Sequence, residues 1–115
     1  MRNDKLSLQS MDFAVSIINL VKELKQKKES VISNQIARSG TSIGANIREA
    51  QYAQTKADFI SKLHIALKEA NETGYWLELL YKTEYLDFEK YKSLDSACAS
   101  IRIMLISSLN TVKKQ

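Results

Sequence analysis

The chain of 115 residues contains no proline, three glycines and one cysteine. Proline and glycine end helices and form the tight turns of β-proteins, so their scarcity favours a helical fold. A lone Cys98 excludes an internal disulfide. No apolar run approaches the roughly 20 residues that cross a bilayer, and the N-terminus "MRNDKLSLQS" lacks the apolar run of a secretion signal. We therefore expect a cytoplasmic protein that does not associate with membranes.

Four segments carry apolar residues at the spacing of an amphipathic helix, with predicted bounds of about 5–26, 31–53, 56–83 and 87–112. The stripes consist of Phe13, Ile17, Leu20 and Leu24, widened by Ala14, Ile18 and Val21; then Ile32, Ile36, Ile43, Ile47 and Ala50; then Phe59, Leu63, Leu67, Ala70, Leu77 and Tyr81; and finally Phe88, Leu94, Ala97, Ile101, Leu105 and Val112. Short polar connections let each stripe be buried against antiparallel neighbours. The sequence predicts a single all-α domain, an up-down-up-down antiparallel four-helix bundle.

Polar residues mark the starts of three of these helices. Ser30 is the predicted N-cap of the second, and Thr55 with Asp58 resembles a capping box at the start of the third. The fourth helix is predicted to begin near Asp87.

The stretch "ARSGTSIGANIREA", residues 37–50, places two glycines inside the second helix. Glycine within a helix costs about 1 kcal/mol of stability relative to alanine, so two glycines in one helix indicate a stabilising contact that compensates. Gly40 and Gly44 are four residues apart and share one helix face, where they let another backbone approach closely. A phosphate-binding loop is the alternative, but "GTSIGAN" has neither a preceding strand nor the required lysine. We predict that Gly40 and Gly44 lie at a packing interface.

Aromatic residues are concentrated near one end of the third helix. Tyr75 and Trp76 directly follow Gly74, and aromatic residues of this kind favour interfaces. We include Tyr75 and Trp76 in the predicted interface, and ordinary packing at the end of the bundle remains the alternative.

A second set of polar residues borders the predicted core. Its members advance by three or four residues beside the apolar stripes, and they are Ser42, Asn46 and Glu49 on the second helix and Glu69 and Glu72 on the third. A partly buried carboxylate needs hydrogen-bond donors, and Arg38, Arg48 and the Trp76 indole are available. We predict a polar network that crosses between the two helices.

Residues suited to metal binding or catalysis are scarce. His64 is the only histidine and has no glutamate three residues before it, so the Glu-x-x-His pair of di-metal bundles is missing. We expect His64 at the surface or an interface, and Cys98, in "DSACAS", as a small core residue. No serine or lysine has a credible neighbouring base. The sequence predicts no catalytic residue, no metal and no cofactor.

Basic residues outnumber acidic ones by 17 to 13, which gives a net charge of +4 and a pI near 9.2. This balance permits attraction to nucleic acid without requiring it. The segment "KELKQKK", residues 22–28, carries four lysines. A solvated helix end whose cations complement the helix dipole is the alternative to a binding site. The predicted phosphate contacts are Lys22, Lys25, Lys27, Lys28, Arg38, Arg48, Lys56 and Lys62.

Two segments carry a family resemblance, "NQIARSGTSIGANIREA" and "FISKLHIALKEANETGYWLELL". They resemble the four-helix-bundle proteins encoded in intervening sequences of bacterial 23S rRNA genes, a fold family that includes the accessory variability protein of diversity-generating retroelements. The resemblance implies a homopentamer built around a central axis, and its retroelement relatives bind nucleic acid and a reverse transcriptase. Carried over, Ser42, Asn46, Glu49, Glu69 and Glu72 match the polar pattern of the family, and no catalytic residues come with it.

Two functions follow as hypotheses. The first is a non-enzymatic, oligomeric helical bundle that presents lysine and arginine to structured RNA or DNA. The second is a protein–protein scaffold or adaptor that makes no direct contact with nucleic acid.

Overall fold

The computed structural model describes residues 4–114, which form four α-helices: α1 (Asp4–Gln26), α2 (Val31–Gln51), α3 (Lys56–Lys82) and α4 (Phe88–Lys113). Each helix end lies within two residues of the predicted one. Helices α1 and α3 each contact both α2 and α4, so the four helices form a square with α1 diagonal to α3. The molecule measures 47 × 21 × 19 Å. The prediction of an all-α four-helix bundle is confirmed.

The core contains the stripe residues that the spacing predicts for the first two helices. Phe13, Ile17, Leu20 and Leu24 of α1 are at most 3% exposed, and the α2 residues Ile36, Ile43, Ile47 and Ala50 at most 2%. The third and fourth helices add Leu63, Ala66, Ala70, Leu77, Leu80, Leu94, Cys98, Ile101, Leu105 and Leu109. Ser39 and Thr73 are polar residues buried within this core.

Three residues predicted to face the core lie outside it. Ile18 is 40% exposed and Phe88 55% exposed, and Ala97 is exposed as well. Phe88 begins α4 at the edge of the bundle, where its ring packs 5.9 Å from that of Tyr81, while Leu86 in the preceding connection is buried instead. Ala97 is outside because Cys98, its neighbour, occupies the inward position.

A glutamate rather than a serine caps α2. Ser30 stands at the N-cap position but its side chain makes no capping hydrogen bond. The Glu29 carboxylate instead accepts from the backbone N–H groups of Ile32 at 2.8 Å and Ser33 at 2.7 Å. One carboxylate, through its two oxygens, thereby satisfies two of the four free N–H groups of the helix start. The predicted N-cap position of Ser30 is confirmed, but the capping hydrogen bonds come from Glu29 and not from the Ser30 side chain.

The other two predicted helix starts are as expected. Thr55 Oγ1 accepts from the Asp58 N–H at 3.0 Å at the start of α3. Asp87 Oδ1 accepts from the Lys90 N–H at 2.8 Å at the start of α4. Short polar side chains therefore fix the first turn of each helix in the second half of the bundle.

Two helices end on residues in the left-handed conformation. Lys28 has φ 66° after α1 and Glu84 has φ 70° after α3. In each case the next residue's N–H reaches back five positions, from Glu29 to the Leu24 carbonyl and from Tyr85 to the Leu80 carbonyl, both at 2.9 Å. This pattern is the Schellman motif, in which glycine is the usual left-handed residue.

Candidate nucleic-acid interface

A charged cluster lies at the surface where α2 meets α3. Arg38 Nη1 donates to Glu69 Oε1 at 3.1 Å, and Arg38 Nη2 donates to Glu72. The Trp76 indole Nε1 donates to Glu72 Oε2 at 3.0 Å. That bond, followed by the one from Arg38, lowers the pKa of Glu72, while the bonds to Glu72 and Glu69 raise the pKa of Arg38. Because its guanidinium is engaged by two carboxylates, we leave Arg38 out of the nucleic-acid surface.

The remaining members of the predicted polar network lie apart from this cluster. Ser42 Oγ donates to the Arg38 carbonyl at 2.7 Å, and Asn46 Nδ2 donates to the Ser42 carbonyl at 2.9 Å. Both side chains therefore bond to their own helix, a common alternative for short polar groups. Glu49 is exposed and lines a groove between α1 and α2. Of the five residues, Glu69 and Glu72 meet at Arg38 across the two helices, whereas Ser42 and Asn46 contact each other along α2.

A buried pair of hydroxyl groups joins α2 to α3 nearby. Ser39 and Thr73 are both fully buried, with their hydroxyl oxygens 2.8 Å apart. Thr73 Oγ1 also lies 2.8 Å from the Glu69 carbonyl oxygen. Sequence reasoning missed this pair, although Ser39 falls three residues after Ile36 and Thr73 three after Ala70, in step with the apolar stripes.

Gly40 and Gly44 face α1 of the same chain. A Cβ at Gly40 would lie 2.9 Å from both γ-carbons of Ile17, and one at Gly44 would lie 3.3 Å from Ser10 Oγ. The close approach is thus a contact between α1 and α2.

Of the predicted interface aromatics, Tyr75 is 59% exposed. Its ring packs edge-on against Trp76 at 5.0 Å.

The predicted phosphate contacts divide between the two ends of the molecule. Lys22, Lys25, Lys27 and Lys28 lie in the last turns of α1 and just after it, and Arg48, Lys56 and Lys62 lie in the last turn of α2 and the first two turns of α3. Helix α2 separates the groups, and its 21 residues span about 30 Å at 1.5 Å per residue. The predicted phosphate contacts therefore form two separate groups. We call the four lysines of the first group the α1–α2 basic cluster.

The α1–α2 basic cluster is exposed and stands on an ordered backbone. All four lysines are exposed, and the Schellman motif at Lys28 fixes the chain between them. Within the described residues none of the four forms an ion pair. The nearest acids are engaged elsewhere, because Glu23 pairs with Lys90 at 3.0 Å and Glu29 caps α2. Lys25 Nζ donates to Asn34 Oδ1 at 2.9 Å.

Other chemistry is sparse in the part of the chain that the structure describes. It contains no group of three or more His, Cys, Asp and Glu side chains able to hold a metal ion. None of the four helices combines the length and apolar character needed to cross a membrane. His64 is exposed. Cys98 is fully buried, and burial raises the pKa of its thiol to about 11.

These features define an all-α bundle protein with basic groups at its ends and no assembled catalytic constellation among the described residues. The model of one protein family, 23S rRNA-intervening sequence protein, matches residues 3–107. The chain belongs to that family.

One solved structure similar to this chain comes from Bacteroides thetaiotaomicron and is described as a protein of unknown function from the S23 ribosomal protein family. It is 58% identical, covers 90% of this chain and 97% of its own, and superposes with a TM-score of 0.89. No curated protein matches the chain. The comparisons show the family and the fold.

Proposed function

We propose that this protein is a non-enzymatic, oligomeric helical bundle that binds structured RNA through the α1–α2 basic cluster. The observation that carries the proposal is the presence of four exposed lysines within seven residues, on a fixed backbone, with the neighbouring carboxylates engaged elsewhere. The name of the family points to ribosomal RNA as the first ligand to test. Such a role belongs in the cytoplasm.

Each lysine contributes a phosphate contact, so affinity depends on how many contacts form at once. Phosphate contacts fix position without reading sequence, and they release counterions, which makes binding fall steeply with salt. One bundle offers only a small cluster. A homopentamer, the assembly implied by the family resemblance, repeats the cluster five times, and linked weak contacts gain strongly in avidity.

The test is a salt titration of binding to a labelled fragment of 23S rRNA. We expect the wild-type affinity to fall linearly on logarithmic axes as salt rises. The variant Lys25→Glu, Lys27→Glu, Lys28→Glu is expected to bind more weakly and to show a flatter slope, by about 0.7 to 0.9 for each lost phosphate contact, the values for single-stranded and duplex nucleic acid.

The matched control reverses three exposed lysines elsewhere, Lys68, Lys113 and Lys114, and so has the same net charge. It is expected to keep most of the affinity. An equal loss in both variants would show a general charge effect rather than a site. Undetectable binding at low salt, or binding that does not respond to salt, would contradict the proposal.

A protein–protein scaffold is the second candidate. The observation that favours it is a set of exposed apolar side chains on α1, including Leu8 at 65% and Val15 at 53% exposure, which offer nothing to a phosphate. A scaffold predicts a protein partner that survives nuclease treatment and is retained by the Lys25, Lys27 and Lys28 variant. Recovery of nuclease-sensitive material alone would count against it.

A further inference from the structure

Helix α1 has a second apolar row, on the side away from the core. Its members advance by three, four and three residues, are 40–65% exposed and are Leu8, Met11, Val15 and Ile18. We call this row the α1 seam. Such spacing is that of the apolar positions in a helix that packs against a partner helix. The core buries a different stripe of α1, so within residues 4–114 no helix covers the α1 seam.

Helix α4 carries an outward row with the same spacing. It begins and ends on the small polar residues Ser96 and Asn110, and between them lie Ala99, Ile103 and Ile106. Ile103 is 67% exposed and Ile106 46% exposed. We call this row the α4 seam.

Charge is nearly absent around both seams. Asp12 is the only charged residue from position 6 to 21, and Arg102 the only one from 96 to 112, in a protein of which 26% is charged. Solvated helix faces normally carry charged residues, and the fully buried cores of interfaces are depleted of them. The composition of these two faces therefore fits burial in an assembly.

We propose that the α1 seam of one copy packs against the α4 seam of a second copy of this chain. The inference rests on the self-association in the proposed function and names its surfaces. A pairing of α1 with α1 would leave the α4 seam exposed and bring two Asp12 carboxylates to one contact. Pairing α1 with α4 covers both seams, and it brings Asp12 to a face of α4 that carries no acidic residue from position 96 to 112.

This pairing joins two different faces, so it is a heterologous contact. Heterologous contacts repeat from copy to copy and generate a closed ring when the rotation closes. A stable interface buries about 800 Å² per partner. The seams span 11 residues of α1 and 15 of α4, about 16 and 22 Å of helix, and they supply the apolar centre of such an area.

The experiment measures mass in solution for wild type and two variants, Val15→Glu on the α1 seam and Ile103→Glu on the α4 seam. Both positions are more than half exposed, so the bundle is expected to fold, which circular dichroism checks. Val31→Glu, the same change at a residue 76% exposed outside both seams, is the control. Wild type and the control are expected to be multimers, and each seam variant a single chain of 13.1 kDa.

Mixing the two seam variants shows whether the contact joins α1 to α4 or α1 to α1. Val15→Glu retains an intact α4 seam and Ile103→Glu an intact α1 seam, so the mixture is expected to form 1:1 pairs of about twice 13.1 kDa. A multimeric Ile103→Glu variant with no pairing in the mixture would replace the proposal with an α1–α1 dimer. A monomeric wild type, or seam variants that remain multimers, would overturn it.

This outcome is separate from RNA binding. The Lys25, Lys27 and Lys28 variant leaves both seams intact and is expected to retain the wild-type mass. A multimer that fails to bind RNA would contradict the proposed ligand alone, whereas RNA binding by a monomeric wild type would contradict the seam pairing and the oligomeric state but not the RNA ligand.

Discussion

Glu29 is a buried carboxylate whose ionisation stabilises the start of α2. It is 7% exposed. Burial by itself raises the pKa of a carboxyl, but the hydrogen bonds from the Ile32, Ser33 and Val31 backbone together with the Ser33 hydroxyl outweigh it, so the pKa of Glu29 is lowered. A carboxylate whose pKa is lower in the folded state stabilises the fold above its unfolded pKa and loses this effect as the pH falls through its folded pKa.

The variant Glu29→Gln tests this cap. We expect it to lower the free energy of unfolding by about 1–2 kcal/mol at pH 7. The difference from wild type should shrink as the pH falls below the ordinary glutamate value of about 4.3. Urea unfolding from pH 7 to pH 3 measures it, with Glu78→Gln at an exposed site as the control for loss of one charge. If Glu29→Gln lowers the free energy of unfolding by the same amount at pH 7 and at pH 3, Glu29 acts by packing alone.

Gly40 and Gly74 are expected to respond in opposite ways to alanine. At Gly40 the new methyl would meet both γ-carbons of Ile17 at 2.9 Å, and fully buried Ile17 has no room to move, so we expect a loss of about 1–3 kcal/mol. At Gly74 the methyl meets only Arg102 Nη1, at 3.4 Å. The better helix propensity of alanine there should add about 0.5–1 kcal/mol. Thermal unfolding of both variants and of wild type measures these changes in stability. A Gly40→Ala variant as stable as wild type would contradict the close packing of α2 on Ile17.

At the scale of the helix, the left-handed residues after α1 and α3 are open to improvement. Lysine and glutamate are strained at φ 66° and 70°, where glycine is not. We expect Lys28→Gly and Glu84→Gly each to raise the free energy of unfolding by about 0.5–1 kcal/mol. Lys22→Gly, within α1, is expected to cost about 1 kcal/mol. Denaturant midpoints measure all three, and a loss at both Lys28 and Glu84 would refute this explanation.

For the molecule as a whole, Cys98 reports on opening of the bundle. Its thiol is fully buried, donates to the Ala70 carbonyl at 3.3 Å and has a pKa of about 11. The thiolate is the reactive form, so labelling of the native protein at pH 8 should require unfolding. We expect a labelling rate that rises with urea in step with unfolding. Cys98→Ser with Ser61→Cys, an exposed site on α3 outside both seams, should label at once; fast labelling of Cys98 itself would contradict the closed core.

Helix positions and most of the core were predictable because one apolar stripe dominates α2 and a regular stripe marks the inner face of α1, although the second apolar row of α1 made Ile18 look like a core residue. Prediction failed at Phe88 and Ala97 because α4 is apolar on its outer side as well, at Ile103 and Ile106, so spacing alone leaves its rotation undetermined. The Arg38 cluster needed the relative position of α2 and α3, which no local pattern contains. The eight basic residues were grouped by charge, whereas the antiparallel chain path sends seven of them to opposite ends and Arg38 pairs with two glutamates of α3.

The Ser39–Thr73 pair has a consequence for alignment. Apolar stripes are nearly interchangeable along their length, so a bundle held by them alone tolerates displacement of one helix by a turn. Sliding α2 along α3 would leave the Ser39 hydroxyl in a dry interior without its partner at 2.8 Å, a penalty of about 1–3 kcal/mol. The hydrogen bond between these two hydroxyl groups thus fixes the axial register of α2 against α3, which apolar packing alone would leave open to several alignments.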